Sequence, residues 1–264
     1  MKRNILLLIL GLVFLNPYFC PAPAGASESI QEIRFITENS PPFNYIEDDK
    51  IKGIFVEVLM AVSRQMESPL GWDRISVMPR DKGYQSLSAG GKKCLFGTAR
   101  TKERETLFKW AGPVVLNRIL LISKAGSDIH INALARIRSL KTGVVTDDIA
   151  EKILLEADLP PESLSRAFGS HAALDLIQDL DRGMIDAWAQ GDLAARWLIK
   201  KNARAPRDFK TLYVLKEEQM YFAFSNDVSN GFISVFQRAL DRVKKKGDVK
   251  RILKTYLSED IGAF

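Results

Sequence analysis

The chain has 264 residues, with 38 Lys+Arg, 32 Asp+Glu, two His and two Cys; 46% of it is hydrophobic and 27% charged. These proportions belong to an ordinary globular protein and exclude a disordered chain, a collagen, a coiled coil and a disulfide-stapled mini-protein. At about 150 residues per domain, the length calls for one large or two ordinary domains.

The N-terminus reads as an export leader. Lys2 and Arg3 precede an apolar run from Ile5 to Leu15, shorter than the about 20 residues a membrane span requires. A Pro-containing stretch then ends in Ala24-Gly25-Ala26, the small-x-small pattern of a secretory cleavage site. Cys20 would suit a lipid anchor, but Tyr18 and Phe19 stand where such a signal takes small residues. Residues 1–26 are therefore expected to be a signal peptide, and the mature protein to be periplasmic. The cut removes two positive charges from a formal net charge of +6 and leaves Cys94 as the single cysteine, so no internal disulfide is expected. No later apolar stretch is long enough to span a membrane.

The mature chain alternates β-rich and helix-period runs. Ile33–Thr37 reads as a strand, broken by Asn39-Ser40-Pro41-Pro42 because proline cannot continue a ladder. Phe55, Val58, Leu59, Val62 and Met66 recur at helical spacing, predicting a helix over Ile54–Met66. Ile75–Met78 is a second strand, Tyr84–Ala89 a helix stopped at Gly90-Gly91, and Cys94–Phe96 a third strand. Thr101 is expected to cap a short helix with Glu103 and Glu105 in its first turn. Leu116–Ser123 is a longer β run. Strands at Gly143–Val145, Met184–Ala187 and Tyr221–Phe224 then alternate with helices at Ile149–Ala157, Ala172–Leu180 and Leu193–Lys200. Phe232–Lys246 and Val249–Leu257 form two terminal helices. Strands alternating with helices imply parallel sheets with right-handed crossovers.

Catalytic motifs are sparse. There is no G-x-S-x-G, H-E-x-x-H, P-loop or G-x-G-x-x-G. His130 and His171 are isolated and have no metal-ligating neighbour at metal spacing, so neither metal nor cofactor is expected. Cys94 sits between apolar neighbours and reads as a buried inert thiol. Lys244–Lys246, Lys250 and Arg251 interleave with apolar residues at helical spacing, which marks a solvated helix face rather than a nucleic-acid surface. Asp147-Asp148 follows a strand and opens a helix. It serves as an N-cap, as a carboxylate aimed at a cationic ligand beyond the strand end, or as both.

Three ordered segments carry a family likeness. Thr37–Tyr45 is followed by Lys52-Gly53-Ile54-Phe55-Val56-Glu57. Gly97–Glu105 is followed by Phe108–Pro113. Leu180-x-x-Gly183–Trp188 is followed, near the end, by Val243-x-x-x-Gly247 and Ile252–Leu257. From about Ile33 to Leu257 the chain resembles the family 3 bacterial extracellular solute-binding proteins of the polar-amino-acid type. The resemblance implies an α/β, two-lobed type 2 periplasmic-binding fold, each lobe a mostly parallel sheet flanked by helices. Lobe 1 would span 27–117 and 222–264, lobe 2 would span 118–221, and Leu116–Ser123 and Tyr221–Phe224 would contribute the hinge. It further implies a monomer that closes on a small polar, carboxylate-bearing ligand and hands it to the permease of an ATP-binding-cassette (ABC) transporter.

Arg104 matches the arginine of the family's T-x-x-R, which starts here at Thr101. A guanidinium fork grips a carboxylate bidentately. The other reading of Arg104 is a surface residue paired with Glu103 or Glu105. Arg100 is a second candidate anion contact. Glu38, Asp147 and Asp148 are candidates for a cationic group, and Phe43 and Trp188 for apolar cover, although Trp188 reads equally as core. The chain departs from the family pattern where Ser40 replaces an aromatic, where Asp147-Asp148 replaces a Gly-Ser/Thr turn, and where Gly191 replaces the amino-binding aspartate, with Asp192 one place late. Two further readings stay open: a sensory or orphan binding module, and a dehydratase-like enzyme using Glu38 or Asp192.

Overall fold

The computed structural model describes residues 28–169, 171–258 and 262–263. The expected leader lies outside the described residues. The strands are β1 (Arg34–Thr37), β2 (Tyr45–Glu47), β3 (Lys50–Lys52), β4 (Ile75–Val77), β5 (Lys93–Ala99), β6 (Lys109–Lys124), β7 (Thr142–Val145), β8 (Leu164–Ala167), β9 (Ala187–Gly191) and β10 (Phe209–Phe224). The helices are α1 (Ile54–Gln65), α2 (Arg80–Ser88), α3 (Ile149–Glu156), α4 (Ala172–Arg182), α5 (Asp192–Lys201), α6 (Asn230–Lys245) and α7 (Asp248–Tyr256). β2 and β3 form a separate antiparallel hairpin.

The other strands join in the order β4-β1-β5-β10-β6-β9-β7-β8. β4, β1 and β5 are parallel, and β5 meets only the last residues of β10, from Met220 to Phe224. At the other end, β9 meets β6 only at Ile119–Ile122, and β7 and β8 continue in parallel. β6 and β10 run antiparallel along their whole lengths, so they are common to two lobes. Among the described residues, β6 has no second neighbouring strand over 109–118, and β10 has none over 212–219. This corrects the expected hinge: Tyr221–Phe224 pairs with β5 inside the first lobe's sheet, and the crossing lies upstream of it.

Strand alternation sorts the side chains onto two faces of each sheet. In the first lobe, Phe35, Cys94, Phe96, Phe222 and Phe224 face α1 and α6, where Phe55, Leu59, Phe236 and Leu240 meet them. Ile36, Leu95 and Ala223 face the other way with Leu87 and Phe108. In the second lobe, Ile119, Leu121, Ala187 and Ala189 lie on one face with Val144 and Leu154, while Leu120, Ile122 and Trp188 lie on the opposite face with Leu176 and Ile199. Cys94 is fully buried, and burial pushes its thiol well above the ordinary value.

Two expected elements are displaced. The strand expected at Met184–Ala187 starts at Ala187 and ends at Gly191. Gly183 adopts a left-handed φ of 71°, and the Met184 N–H returns to Asp179 O, so residue 184 closes α4 instead of opening a strand. The helix expected after Thr101 is a series of turns, in which Arg104 N–H bonds to Thr101 O at 3.1 Å. β2, β3, β8 and the first part of β10 were not anticipated.

Helix α5 follows β9 but contacts the first lobe. Leu193 is buried in the cluster that holds Val115 and Met220. The Trp197 ring packs edge-on to Tyr45 at 5.6 Å, Lys201 pairs with Glu47 at 2.9 Å, and Arg196 donates to Ser258 O at 2.8 Å.

Phe222 sits among Phe55, Phe96 and Phe236 with ring centroids 5.4, 5.9 and 5.0 Å away. Phe222→Ala should cost about 3–5 kcal/mol in urea unfolding, through lost transfer energy and the cavity left behind. Asp227 caps the turn before β5, accepting from Gly91 and Lys92 N–H at 2.7 and 2.9 Å. The Ser225 hydroxyl and these backbone donors outweigh burial and pull its carboxyl from 3.8 to about 2. A lowered carboxylate stabilises above its ordinary value, and that stability is lost as pH falls through about 2. Asp227→Ala should therefore lower stability by about 1 kcal/mol at neutral pH, with the difference from the parent vanishing in strong acid.

Candidate ligand-binding site

A cleft of about 380 Å³ lies between the lobes, within the roughly 300–1,000 Å³ usual for small-ligand sites. Its first-lobe wall comprises Glu38, Ser40, Pro41 and Phe43 from the turn after β1, Arg80 and Tyr84 from α2, and Gly97–Ala99, Thr101 and Arg104 at and beyond the end of β5. The second-lobe wall comprises Val145, Asp148, Ile149, Gly169, Ala172, Ala173, Gln190, Gly191 and Ala194. Asn117, Ile119, Lys216, Glu218 and Met220 come from the two shared strands. The site thus gathers at strand ends and helix starts, as open α/β sheets dictate.

Backbone packing holds the Phe43 turn in place. Ile54 and Phe55, opening α1, donate to Pro42 and Phe43 O at 2.9 and 3.0 Å. Gly53 permits that approach: it has φ 127°, and a Cβ there would stand 2.4 Å from Phe43 O.

Four of the six charged residues lining the cleft form two ion pairs, whereas Arg104 and Asp148 have no ion-pair partner among the described residues. Arg80 Nε contacts both Glu38 carboxylate oxygens at 2.9 Å, and Lys216 lies 3.7 Å from Glu218. Arg104 lies over the Tyr84 ring at 4.3 Å, and among the described residues no carboxylate pairs with it. The Tyr84 hydroxyl is itself tied to Thr98. A stacked guanidinium keeps its donors available in the ring plane.

Asp148 accepts from Ile149 N–H at 2.6 Å and also lines the cleft, so one residue both caps α3 and presents a carboxylate. Burial raises its carboxyl above the ordinary value, against the pull of Ile149 N–H, Arg80 and Lys152.

Thr101, Arg104, Glu38, Phe43 and Asp148 therefore share the cleft. Arg100, Asp147 and Trp188 do not line it. The Arg100 side chain pairs with Glu105, Nε to Oε2 at 2.7 Å, and lies over Trp110 and Tyr221. Asp147 has φ 63° and gives its N–H to Glu151 Oε2 at 2.7 Å. Trp188 is 0% exposed, on the core face that strand alternation assigns it, so it offers a ligand no cover. Asp192 is also turned away: its Oδ2 accepts from Arg118 at 2.7 and 3.0 Å.

Sequence reading missed Arg80, Tyr84, Asn117, Gln190, Lys216 and Glu218. The Arg80–Tyr84 spacing of one helical turn was visible, but only the fold turns that face to the cleft. The others lie on β6, β9 and β10, whose registers were shifted or unseen.

Two lobes sharing a pair of long strands, with a polar cleft between them, define a hinged solute-binding protein. The model of the bacterial extracellular solute-binding proteins, family 3, matches residues 33–259, and the chain belongs to that family. It is 22% identical over 267 residues to the arginine-binding extracellular protein ArtP of Bacillus subtilis (strain 168), across 98% of this chain and 99% of that protein. Among solved structures, the second substrate-binding domain of Lactococcus lactis GlnP in its open conformation is similar, with a TM-score of 0.67 and 18% identity over 89% of this chain and 100% of that one. A histidine kinase sensor domain with similarity to periplasmic binding proteins has a TM-score of 0.63 and 16% identity, covering 86% and 98%.

Partial burial makes the charged form of Asp148 weigh against folding. A raised carboxyl contributes stability below its ordinary value of 3.8 and loses it as pH rises through the shifted one. Asp148→Asn keeps an N-cap and removes that burden. The variant should match or exceed the parent's thermal midpoint at neutral pH and lose its advantage in acid, read by circular dichroism.

Proposed function

We propose that this chain captures a small carboxylate-bearing polar solute, an amino acid or a close relative, and that Arg104 grips the carboxylate. One observation carries the reading: Arg104 is the cleft cation without a carboxylate partner among the described residues. A guanidinium held on a ring within a concave site is prepared for an anion that arrives with the ligand. Asp148 lines the second-lobe wall and suits an ammonium, while Phe43 supplies apolar contact. Closure follows from contacts the ligand makes with both walls at once, which shifts the population towards the closed state.

In this reading the chain is exported to the periplasm, with residues 1–26 removed, and works as a monomer that delivers its ligand to an ABC permease. Lobe 1 comprises 27–117 and 222–264, and lobe 2 comprises 118–221; the hydrophobic clusters follow that division apart from Leu193, Trp197 and Met220, which pack with the first lobe. Binding rather than turnover is supported by the acids that chemistry would need: Glu38 is engaged by Arg80 and Asp192 by Arg118. The similar structures named above include a substrate-binding domain and a sensor domain, so a sensory role uses the same site and differs only in the membrane partner.

Calorimetric titration of the mature protein with amino acids, polyamines and small organic acids should give binding for carboxylate-bearing members alone. Arg104→Ala should weaken that binding by about 2–3 kcal/mol. Undiminished affinity in the variant would remove Arg104 from the site.

A further inference from the structure

The cleft holds one buried polar atom that the protein leaves unused. Asn117 lies on β6, in the crossing between the lobes, and is 5% exposed. Its Nδ2 donates to Glu218 Oε1 at 3.4 Å, and its Oδ1 has no hydrogen-bond partner. The orientation follows from chemistry. An amide beside a carboxylate turns its NH₂ towards it, so the carbonyl oxygen points elsewhere.

That oxygen lies beside Gly191, where even a Cβ would stand 3.4 Å away, and both residues line the cleft. Gln190 offers no equivalent acceptor, because its Oε1 already receives Gly191 N–H at 2.8 Å. Of the buried side-chain atoms without a partner among the described residues, Asn117 Oδ1 is the one that belongs to a residue lining the cleft. A desolvated acceptor with no donor is destabilising. A function that supplies the donor accounts for it.

We propose that Asn117 Oδ1 accepts a hydrogen bond from an N–H or O–H of the ligand, making it a specificity-determining residue. This inference rests on the reading of Arg104 as the anion clamp and deepens it. The ligand class becomes a small acid that also carries a neutral or cationic hydrogen-bond donor. With Asp148 suited to the α-ammonium, the donor at Asn117 is a hydroxyl, an amide or a guanidinium elsewhere on the ligand, and an analogue with a methylene at that point is rejected because the oxygen is again left unpaired.

The test compares the parent, Asn117→Leu, Asn117→Ala and Arg104→Ala by calorimetry. The probes are L-arginine, L-glutamine and L-malate, with L-norleucine and succinate as analogues lacking the side-chain or hydroxyl donor. Thermal melts of the ligand-free proteins accompany the titrations. Both Asn117 variants should lose roughly tenfold or more in affinity for the donor-bearing probe the parent binds most tightly. Their affinity for its donor-lacking analogue should change little, and ligand-free Asn117→Leu should melt no lower than the parent. Equal affinity of the parent and the Asn117 variants for every probe, with binding lost in Arg104→Ala, overturns the inference and leaves the Arg104 reading intact. Binding of no probe by the parent overturns both.

Discussion

The architecture rests on the antiparallel pairing of β6 and β10. Each is 16 residues long and belongs to both lobes. Their outer ends are sealed into the two sheets by β5 and β9, and their middles carry no third strand. The same ladder therefore joins two cores and leaves a polar segment between them, which side chains also tie, Arg118 to Asp192 and Asn117 to Glu218. Asn117, Lys216 and Glu218 occupy that segment. They form the floor of the cleft because no hydrophobic layer claims their positions.

The cleft has an economical electrostatic plan. Arg80 and Lys216 are neutralised from within, so they shape the walls without inviting an anion of their own. Arg104 is left with an aromatic face in place of a counter-ion, and Asp148 spends one carboxylate oxygen on a helix start. Selectivity in such a site comes as much from which charges are already paired as from which are present. A composition with 38 basic and 32 acidic residues could not reveal that.

The alternation of strands and helices was legible in the sequence, because α1, α4, α6 and α7 carry helical stripes and β1, β5 and β7 are short apolar runs. The T-x-x-R segment brought Thr101 and Arg104 forward correctly as neighbours in one turn, although not on a helix. Trp188 could not be oriented, because the strands around it are buried on both faces and neither face reads as polar. The first part of β10 was hidden for the opposite reason. Lys216-Glu217-Glu218-Gln219 has poor strand propensity and is extended only because β6 lies beside it. Arg80 lies just ahead of the helix expected at Tyr84–Ala89 and Asn117 within the β run expected at Leu116–Ser123, but their importance comes from partners far along the chain.

Helix α5 gives the cleft two unlike edges. Along one, Trp197, Lys201 and Arg196 stitch the second lobe to the β2–β3 hairpin and the end of α7. Along the other, Arg80 of α2 and Asp148 at the start of α3 line the same cleft and influence each other through their charges. The molecule is bound like a book, with a sewn spine and a free fore-edge. A movement that turns the covers about the spine keeps the stitching, whereas one that parts the lobes evenly must tear it. Such a binding separates the two jobs of a trap: the spine sets how far the covers swing, and the page they meet on sets what is held.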